Sequence, residues 1–358
     1  MFMIIILLVS LLIMGANAWM ESSYHTGKVD TINHEISSIK ESLEDLSENN
    51  GNPEQNKVIK NLHEQEDLLK KQLIALDTED WRTYLEAQIE IDKRTIKGLD
   101  SGSLFGGEPL GMIENRLFLN QELLERNIPP SAPDYATNGF HSLKNVLKVF
   151  MSFMGILIFL IILGDLFSNE YEMGTSKFLF AHPIKKSKVL TAKFLVSLMA
   201  IGVILLTVSL LSFVLASIFK GIGNYNFPMI IQKNNEQAFM DLWLFLIKSS
   251  LLFIFVIAFV ILLQFLFSII TRSNLLSIGI TIILSAIFYM SIVQYNLFKS
   301  IAHIVPFTYL DPFSIVNGNL SKELSNSQVS TLAGVLCLIG FGIILYITSI
   351  MILRKQEA

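Results

Sequence analysis

Residues 167–194 read FSNEYEMGTSKFLFAHPIKKSKVLTAKF, a short polar stretch between two long apolar runs. The stretch contains five lysines: Lys177, Lys185, Lys186, Lys188 and Lys193. Lysines clustered in a short loop beside apolar runs are typical of the cytoplasmic face of a membrane protein. The stretch therefore predicts a chain that crosses a membrane several times, and it orients that chain.

The composition supports a membrane protein. Of the 358 residues, 52% are hydrophobic and only 16% are charged, which is less charge than soluble domains usually carry. The apolar residues form runs long enough to cross a hydrocarbon core of about 30 Å as helices, the form that satisfies backbone polar groups in lipid. Six runs are predicted to span: 2–18, 143–166, 191–219, 242–270, 275–297 and 329–353. The predicted fold class is all-α, a polytopic membrane protein with six transmembrane helices.

The short loops predict which side each end of the chain lies on. With residues 168–190 in the cytoplasm, the short loops and the C-terminal tail carry eight basic residues on that side and four on the other. The C-terminus is then cytoplasmic, and the long segment between the first two spans is extracellular. The predicted domains are 1–19, 20–141 and 142–358: a first transmembrane helix, an extracellular helical insert and a five-helix membrane domain.

The first apolar run has a second interpretation. Residues 2–15 followed by Ala16-Asn17-Ala18 resemble a signal peptide with a small-residue cleavage site. No Lys or Arg precedes the run, so a retained first span is favoured. Cleavage would leave every later loop on the same side.

The insert is acidic, with 23 Asp and Glu against 12 Lys and Arg, and it contains no cysteine, because Cys337 is the only one in the chain. Two apolar stripes predict an antiparallel helical hairpin, with the second helix continuing past Trp81 toward Lys93. The stripes are Ile32, Ile36, Ile39, Leu43 and Leu46, then Val58, Leu62, Leu69, Leu73 and Leu76. Residues 98–111 are predicted to be a loop and 112–126 a helix. The insert is either a receptor for an extracellular ligand, for which Trp81 and Tyr84 are candidate contacts, or a spacer, which is favoured for any single residue.

The cytoplasmic stretch predicts a short amphipathic helix from Glu170 to Phe180 that ends before Pro183. Such a helix along the membrane surface suits a docking element for a soluble partner. The alternative is an interfacial turn whose lysines only set the topology.

These residues resemble the coupling-helix region of type-2 ABC transporter permeases, of the Gram-positive type with a large extracellular insert. The resemblance rests on Glu170-x-Glu172-x-Gly174-Thr175, then Pro183, then Lys193 at the next span. It extends to a Pro-rich external re-entry before the last span, Ile304-Val305-Pro306-Phe307 through Gly318, and to residues 115–140. It implies a multi-pass protein of the bacterial cell membrane.

The resemblance also implies partners and site residues. The partners are an ATP-binding cassette subunit, a second permease subunit in a homo- or heterodimer, and membrane lipids, with no nucleic acid. The residues implied to couple to the ATP-binding subunit are Glu170, Glu172, Gly174, Thr175, Phe178, Pro183 and Lys193. Within the family, this region transmits ATP-driven closure to the membrane helices.

Motifs for catalysis do not occur in the sequence. There is no Gly-x-x-x-x-Gly-Lys-Ser/Thr phosphate loop, no His-Glu-x-x-His motif and no Gly-x-Ser-x-Gly elbow. The chain is therefore expected not to be an enzyme, with no catalytic residue, no metal site and no cofactor of its own. ATP and Mg are expected on the partner subunit.

The spans carry few ionisable residues, and Asp165 and Lys248 both lie near predicted span ends. No series of carboxylates crosses the membrane, which argues against proton coupling. An apolar lining favours export of an amphipathic peptide, an antimicrobial or a lipid-like substrate. The rival hypothesis is a membrane sensor or bacteriocin-immunity protein that binds an extracellular ligand without transporting it.

Overall fold

A computed structural model describes residues 2–47, 53–100, 108–132, 135–172, 186–233 and 236–355. The chain divides into two compact units. The membrane unit comprises Met1–Met14 and Asn138–Ala358, and the insert unit comprises Gly15–Thr137. The first helix, α1 (Phe2–Ser47), contributes residues to both units.

The insert unit contains a helical hairpin that reverses at a break the sequence does not predict. Helix α2 (Pro53–Asp77) ends at a tight reversal, in which Glu79 has a φ of 56°. Helix α3 (Trp81–Asp100) then runs back along α2. The predicted continuation of the second helix toward Lys93 is therefore wrong. The physical cause is the cap of α3, where the Asp80 carboxylate accepts hydrogen bonds from the Thr83 backbone N–H (3.3 Å) and hydroxyl (2.7 Å).

Helix α4 (Leu110–Glu125) lies where the sequence predicts a helix, and α3 packs between α2 and α4. The first predicted stripe is buried at its centre, with Ile32, Ile36 and Ile39 each less than a tenth exposed. Leu69, Leu85, Ile113 and Leu123 are also buried and extend this apolar core. Burial of apolar faces at helical spacing holds this unit together.

In the membrane unit, the second predicted span is bent. Helices α5 (Gly139–Phe150) and α6 (Phe153–Glu172) meet at an angle of 64°, measured over the part of α6 up to Gly164. The bend brings the chain so close to itself that a Cβ on Gly155 would collide with the Phe150 carbonyl oxygen. Either α5 and α6 form one broken span, or α5 belongs to a re-entrant segment.

The remaining spans form a bundle around one helix. Helix α7 (Lys186–Lys220) has 35 residues, about 52 Å at 1.5 Å per residue, longer than the hydrocarbon core requires. Helix α8 (Leu242–Thr271) is the most buried span and packs against α6, α9 (Asn274–Gln294) and α13 (Thr331–Lys355). Among the described residues, five helices are long and apolar enough to span, or six if the bent pair is one span. An all-α polytopic membrane protein is thus confirmed.

Two connections at the start of α8 and of α13 complete the membrane unit. An antiparallel hairpin of β1 (Pro228–Lys233) and β2 (Glu236–Asp241), which the sequence did not predict, leads directly into α8. The predicted re-entry before the last span consists of short helical pieces and does not cross. They are α10 (Asn296–Lys299), 3-10 turns at Ala302–Ile304 and Pro306–Tyr309, α11 (Pro312–Val316) and α12 (Asn319–Glu323).

Aromatic packing holds this re-entry onto the spans. The Phe307 ring lies 4.9 Å from that of Phe288 on α9 and 5.4 Å from that of Phe259 on α8, measured between ring centroids. Tyr309 is fully buried, and its hydroxyl donates to the His303 carbonyl at 2.8 Å. Proline breaks keep this segment irregular, and local backbone hydrogen bonds, such as that from the Thr308 N–H to the Val305 carbonyl at 3.1 Å, satisfy part of its backbone.

Candidate functional site

The predicted coupling residues lie at and between the ends of two helices. Glu170 and Glu172 occupy the last turn of α6, for which the structure describes the backbone. Lys193 lies in the second turn of α7 and is half-buried. The other predicted coupling residues, Gly174, Thr175, Phe178 and Pro183, lie outside the described residues. Their assignment stays a prediction.

The two helices that flank this stretch are firmly connected to the rest of the bundle. Gly164 on α6 lies so close to α9 that an added Cβ would collide with Ile278. Since Asn274 begins α9 directly after the Arg272 turn, this contact places the end of α6 at the same end of the bundle as Arg272. The β-hairpin precedes α8 and therefore lies at the opposite end, which we call the hairpin end.

Two polar contacts join the flanking helices to others. The Nε2 atom of Gln264, a fully buried residue of α8, donates to the Leu160 carbonyl of α6 at 3.3 Å. The Thr191 hydroxyl of α7 lies 2.7 Å from the Tyr346 hydroxyl of α13. These residues belong to no recognised motif, although a glutamine inside a long apolar run is a visible signal.

At the hairpin end, α5 buries an unusual number of polar side chains. Ser142 shares a 3.1 Å hydroxyl contact with Ser212 of α7, and the His141 Nδ1 atom lies 2.9 Å from the Asn138 side-chain oxygen. The His141 ring packs edge-on against Phe227, with 4.6 Å between centroids. Lys144 and Asn145 are buried as well. These contacts make α5 a tightly bound structural element at the bend.

One groove lies at the hairpin end, where α10 crosses the stretch before α13. It has a volume of about 450 Å³. The Asn326 side chain donates to the Lys299 and Ser300 carbonyls at 2.8 and 3.2 Å, and this joins the two stretches. The lining residues are Asn296, Lys299, Ser300, Leu324, Ser325, Asn326, Ser327 and Gln328. The lining is almost entirely polar.

The insert unit contains an ion-pair cluster. Arg116 of α4 contacts the Asp92 carboxylate through Nη2 at 2.7 Å and through Nε at 3.1 Å, and Glu108 through Nη1 at 2.9 Å. Asp92 is fully buried. Burial alone lowers the pKa of Arg116, but the hydrogen bonds and charges of Asp92 and Glu108 outweigh it and raise the pKa above its usual value.

A lysine lies between two tyrosines in the same unit. The Lys28 ammonium is 4.7 Å from the centroid of the Tyr24 ring and 4.7 Å from that of Tyr84. Burial, followed by the charge of Arg116, lowers the pKa of Lys28 to about 8. Burial also raises the pKa of both tyrosines. Tyr84 is buried, which fits a helix-packing role for this residue and not a surface ligand contact.

No group of three or more His, Cys, Asp or Glu side chains within the described ranges is arranged to hold a metal ion. A family model for ABC-2 family transporter proteins matches residues 1–358, the whole chain.

The chain belongs to the ABC-2 transporter family.

As an ABC-2 permease, the chain is the membrane subunit of an ABC transporter and is not the ATPase itself. Permeases of this family associate with an ATP-binding subunit. The chain is accordingly a multi-pass membrane protein. Comparison with curated proteins found no match, and comparison with solved structures found none either.

Proposed function

We propose that this ABC-2 permease exports an amphipathic peptide, an antimicrobial or a lipid-like substrate across a bacterial cell membrane. The observation that carries the proposal is the charge distribution along the spans. Asp, Glu, Lys, Arg and His do not occur in 194–219, 249–271, 274–294 or 331–353. A desolvated charge inside the bilayer is costly, so helices of this kind suit a substrate that is itself largely apolar.

The docking site in this proposal is the end of the bundle that holds Glu172 and Arg272. Residues 170–193, which we call the docking stretch, contact an ATP-binding cassette subunit there. That subunit holds ATP and Mg. A second permease subunit, the same or related, completes the transporter. Gly164 of α6 lies in close contact with α9. A displacement of the docking stretch is therefore transmitted through α6 to α9.

Charge reversal tests the docking site. Glu170→Lys and Glu172→Lys are expected to reduce the amount of ATP-binding subunit that co-purifies with the full-length chain from its native membrane. Glu236→Lys is the matched control, because Glu236 is an exposed carboxylate at the hairpin end. Equal recovery of the ATP-binding subunit with all three variants would contradict the docking assignment.

The orientation in this proposal places insert 20–141 outside the cell and the docking stretch and C-terminus in the cytoplasm. In a cysteine-free background, Lys71→Cys in the insert is expected to react with a membrane-impermeant maleimide in intact cells. Lys355→Cys is expected to react only after the cells are permeabilised. The reverse pattern would mean that the insert is cytoplasmic and that the docking site lies outside the cell, which would contradict the proposed orientation.

The substrate class is tested on the purified complex in liposomes. Amphipathic helical peptides and short-chain lipids are expected to change its ATPase rate, whereas sucrose and glutamate leave it unchanged. A response confined to the hydrophilic solutes would refute the substrate class while leaving the docking site intact. Family membership favours this transporter function over the sensor hypothesis.

A further inference from the structure

Helices α6 and α7 lead into and out of the stretch between them. Leu160 lies 12 residues before the end of α6, about 18 Å along the helix, and Thr191 lies five residues into α7, about 8 Å along it. At Leu160 a polar contact joins α6 to α8, and at Thr191 another joins α7 to α13.

The contact of Gln264 is unusual for its surroundings. Gln264 is fully buried, and its neighbours Leu263 and Phe265 are buried apolar residues. Its Nε2 atom donates to the Leu160 carbonyl, while its Oε1 atom is buried without a hydrogen-bond partner among the described residues. An unpaired buried acceptor is unfavourable, and a leucine in its place would carry no such cost. The glutamine is therefore poorly explained by packing alone.

The direction of the second contact follows from the donor count. The Thr191 hydroxyl has one hydrogen and donates it to the Ser187 carbonyl at 2.8 Å. It therefore accepts the hydrogen of the Tyr346 hydroxyl at 2.7 Å. Tyr346 thus fixes the axial position of the first turns of α7 relative to α13.

Apolar helix surfaces in lipid can slide past each other at little cost, whereas an interhelical hydrogen bond defines their register. We propose that Gln264, Thr191 and Tyr346 are positioning residues that pass movement of the docking stretch into α8 and α13. This inference depends on the proposed docking of an ATP-binding subunit between α6 and α7. Besides the close approach of Gly164 to α9, it adds two contacts through which the bundle follows that subunit.

Cys337 provides a reporter on α13. It is the only cysteine of the chain and lies nine residues before Tyr346, about 13.5 Å along the helix toward the hairpin end. Its thiol is half-buried and donates to the Ile304 carbonyl at 3.3 Å. A shift of α13 relative to the re-entry segment changes the accessibility of this thiol, and hence its rate of reaction with a maleimide.

The experiment compares maleimide labelling of Cys337 in the full complex, with and without trapping by ATP and vanadate, using a cysteine-free ATP-binding subunit. The wild-type complex is expected to change its labelling rate on trapping. Thr191→Val, Tyr346→Phe and Gln264→Leu are expected to reduce that change by about two- to thirty-fold, the range of single-residue effects on coupling. The melting temperature stays close to wild type, because one interhelical hydrogen bond adds little stability.

Matched controls lie on the same two helices. The hydroxyls of Thr207 on α7 and Thr348 on α13 are exposed, and each donates to a carbonyl of its own helix at 2.8 Å. Thr207→Val and Thr348→Val are expected to keep the full nucleotide response. The double variant Thr191→Val/Tyr346→Phe is expected to match the single variants, since each removes the same contact.

The outcomes separate this inference from the proposed function. The inference is overturned if the three positioning variants keep the full change in labelling rate on trapping. It is also overturned if the wild-type labelling rate does not depend on nucleotide. In both cases the ATP-binding subunit still co-purifies, so the proposed function stands. Failure of that subunit to co-purify with the wild-type chain overturns the proposed function, and the inference with it.

Discussion

Removing the Arg116 side chain from the insert unit is expected to destabilise that unit strongly. Asp92 is fully buried, and Arg116 is the cation that contacts its carboxylate at 2.7 Å. Arg116→Met leaves a buried negative charge, with the Gln88 amide still donating to it at 2.9 Å. Breaking a buried ion pair from one side costs about 3–5 kcal/mol. Arg116 itself is 37% exposed, so water can partly solvate the site and we expect the lower end of that range.

Hydrogen exchange of the full-length protein in detergent measures this cost. A loss of about 3 kcal/mol in local stability corresponds to roughly 150-fold faster exchange of the protected amides of α3 and α4, at about 1.4 kcal/mol per factor of ten. Amides of α8 serve as the internal reference, because they belong to the membrane unit.

Arg94→Met is the matched control. Arg94 also contacts two carboxylates, those of Glu64 at 2.7 Å and Glu90 at 2.9 Å, but all three side chains are about 40% exposed. Surface pairs are worth about 0–1 kcal/mol, so exchange is expected to accelerate less than about five-fold. Adding Asp92→Asn to Arg116→Met removes the buried charge but keeps an oxygen for Gln88, and is expected to restore most of the protection. Equal effects of Arg116→Met and Arg94→Met would refute the reasoning.

Two further predictions concern one glycine and one lysine. Gly318 has a φ of 76°, and a Cβ there would collide with the Gln232 carbonyl, so Gly318→Ala is expected to lower the free energy of unfolding by about 1–3 kcal/mol in a detergent titration. Gly279→Ala, in open space on α9, is expected to change it by less than about 1 kcal/mol, and equal losses would contradict the steric argument. The pKa of Lys28 is lowered to about 8 from 10.5, so between these values the unfolded chain binds the extra proton and stability rises with pH. The melting temperature of the insert unit is therefore expected to climb from pH 8 toward pH 10, before tyrosine ionisation in the unfolded chain opposes it, and a climb that survives in Lys28→Met would exclude this cause.

Several features of the fold were predictable because they depend on local composition. A run of apolar residues long enough to cross the bilayer must become a helix, whatever its neighbours are. The stripe at Ile32, Ile36 and Ile39 was predictable for a similar reason, since helical spacing places the three on one face. The proline-broken segment before α13 was predictable as irregular, because proline removes a backbone donor.

The candidate site was predictable only in part. The docking stretch stands out as a lysine-rich interruption of apolar sequence. Its resemblance to type-2 ABC transporter permeases agrees with the family to which the chain belongs. The roles of Glu170 and Glu172 stay predictions. The contacts of Gln264 and of Thr191 with Tyr346 join residues 104 and 155 positions apart in the chain, a pairing that no local pattern reveals.

Two departures from the prediction have different physical origins. The reversal at Asp80 depends on a helix cap that competes with continuation of the helix. The apolar stripe runs across this position whether or not the helix breaks, so the stripe does not reveal the break. The bend before Gly155 depends on the packing of α5 against α7, whereas its apolar composition alone suits a straight span.

The lysine-rich stretch at 167–194 shows the same division. The sequence by itself determined that the chain spans a membrane, where its long apolar runs lie and which loop interrupts them, because the transfer of apolar and charged groups into lipid depends on each segment alone. Only the tertiary structure decided which other helices the two flanking helices contact. Helix-to-helix contacts in lipid depend on close packing and single hydrogen bonds between distant residues, and these exist only once the bundle has assembled.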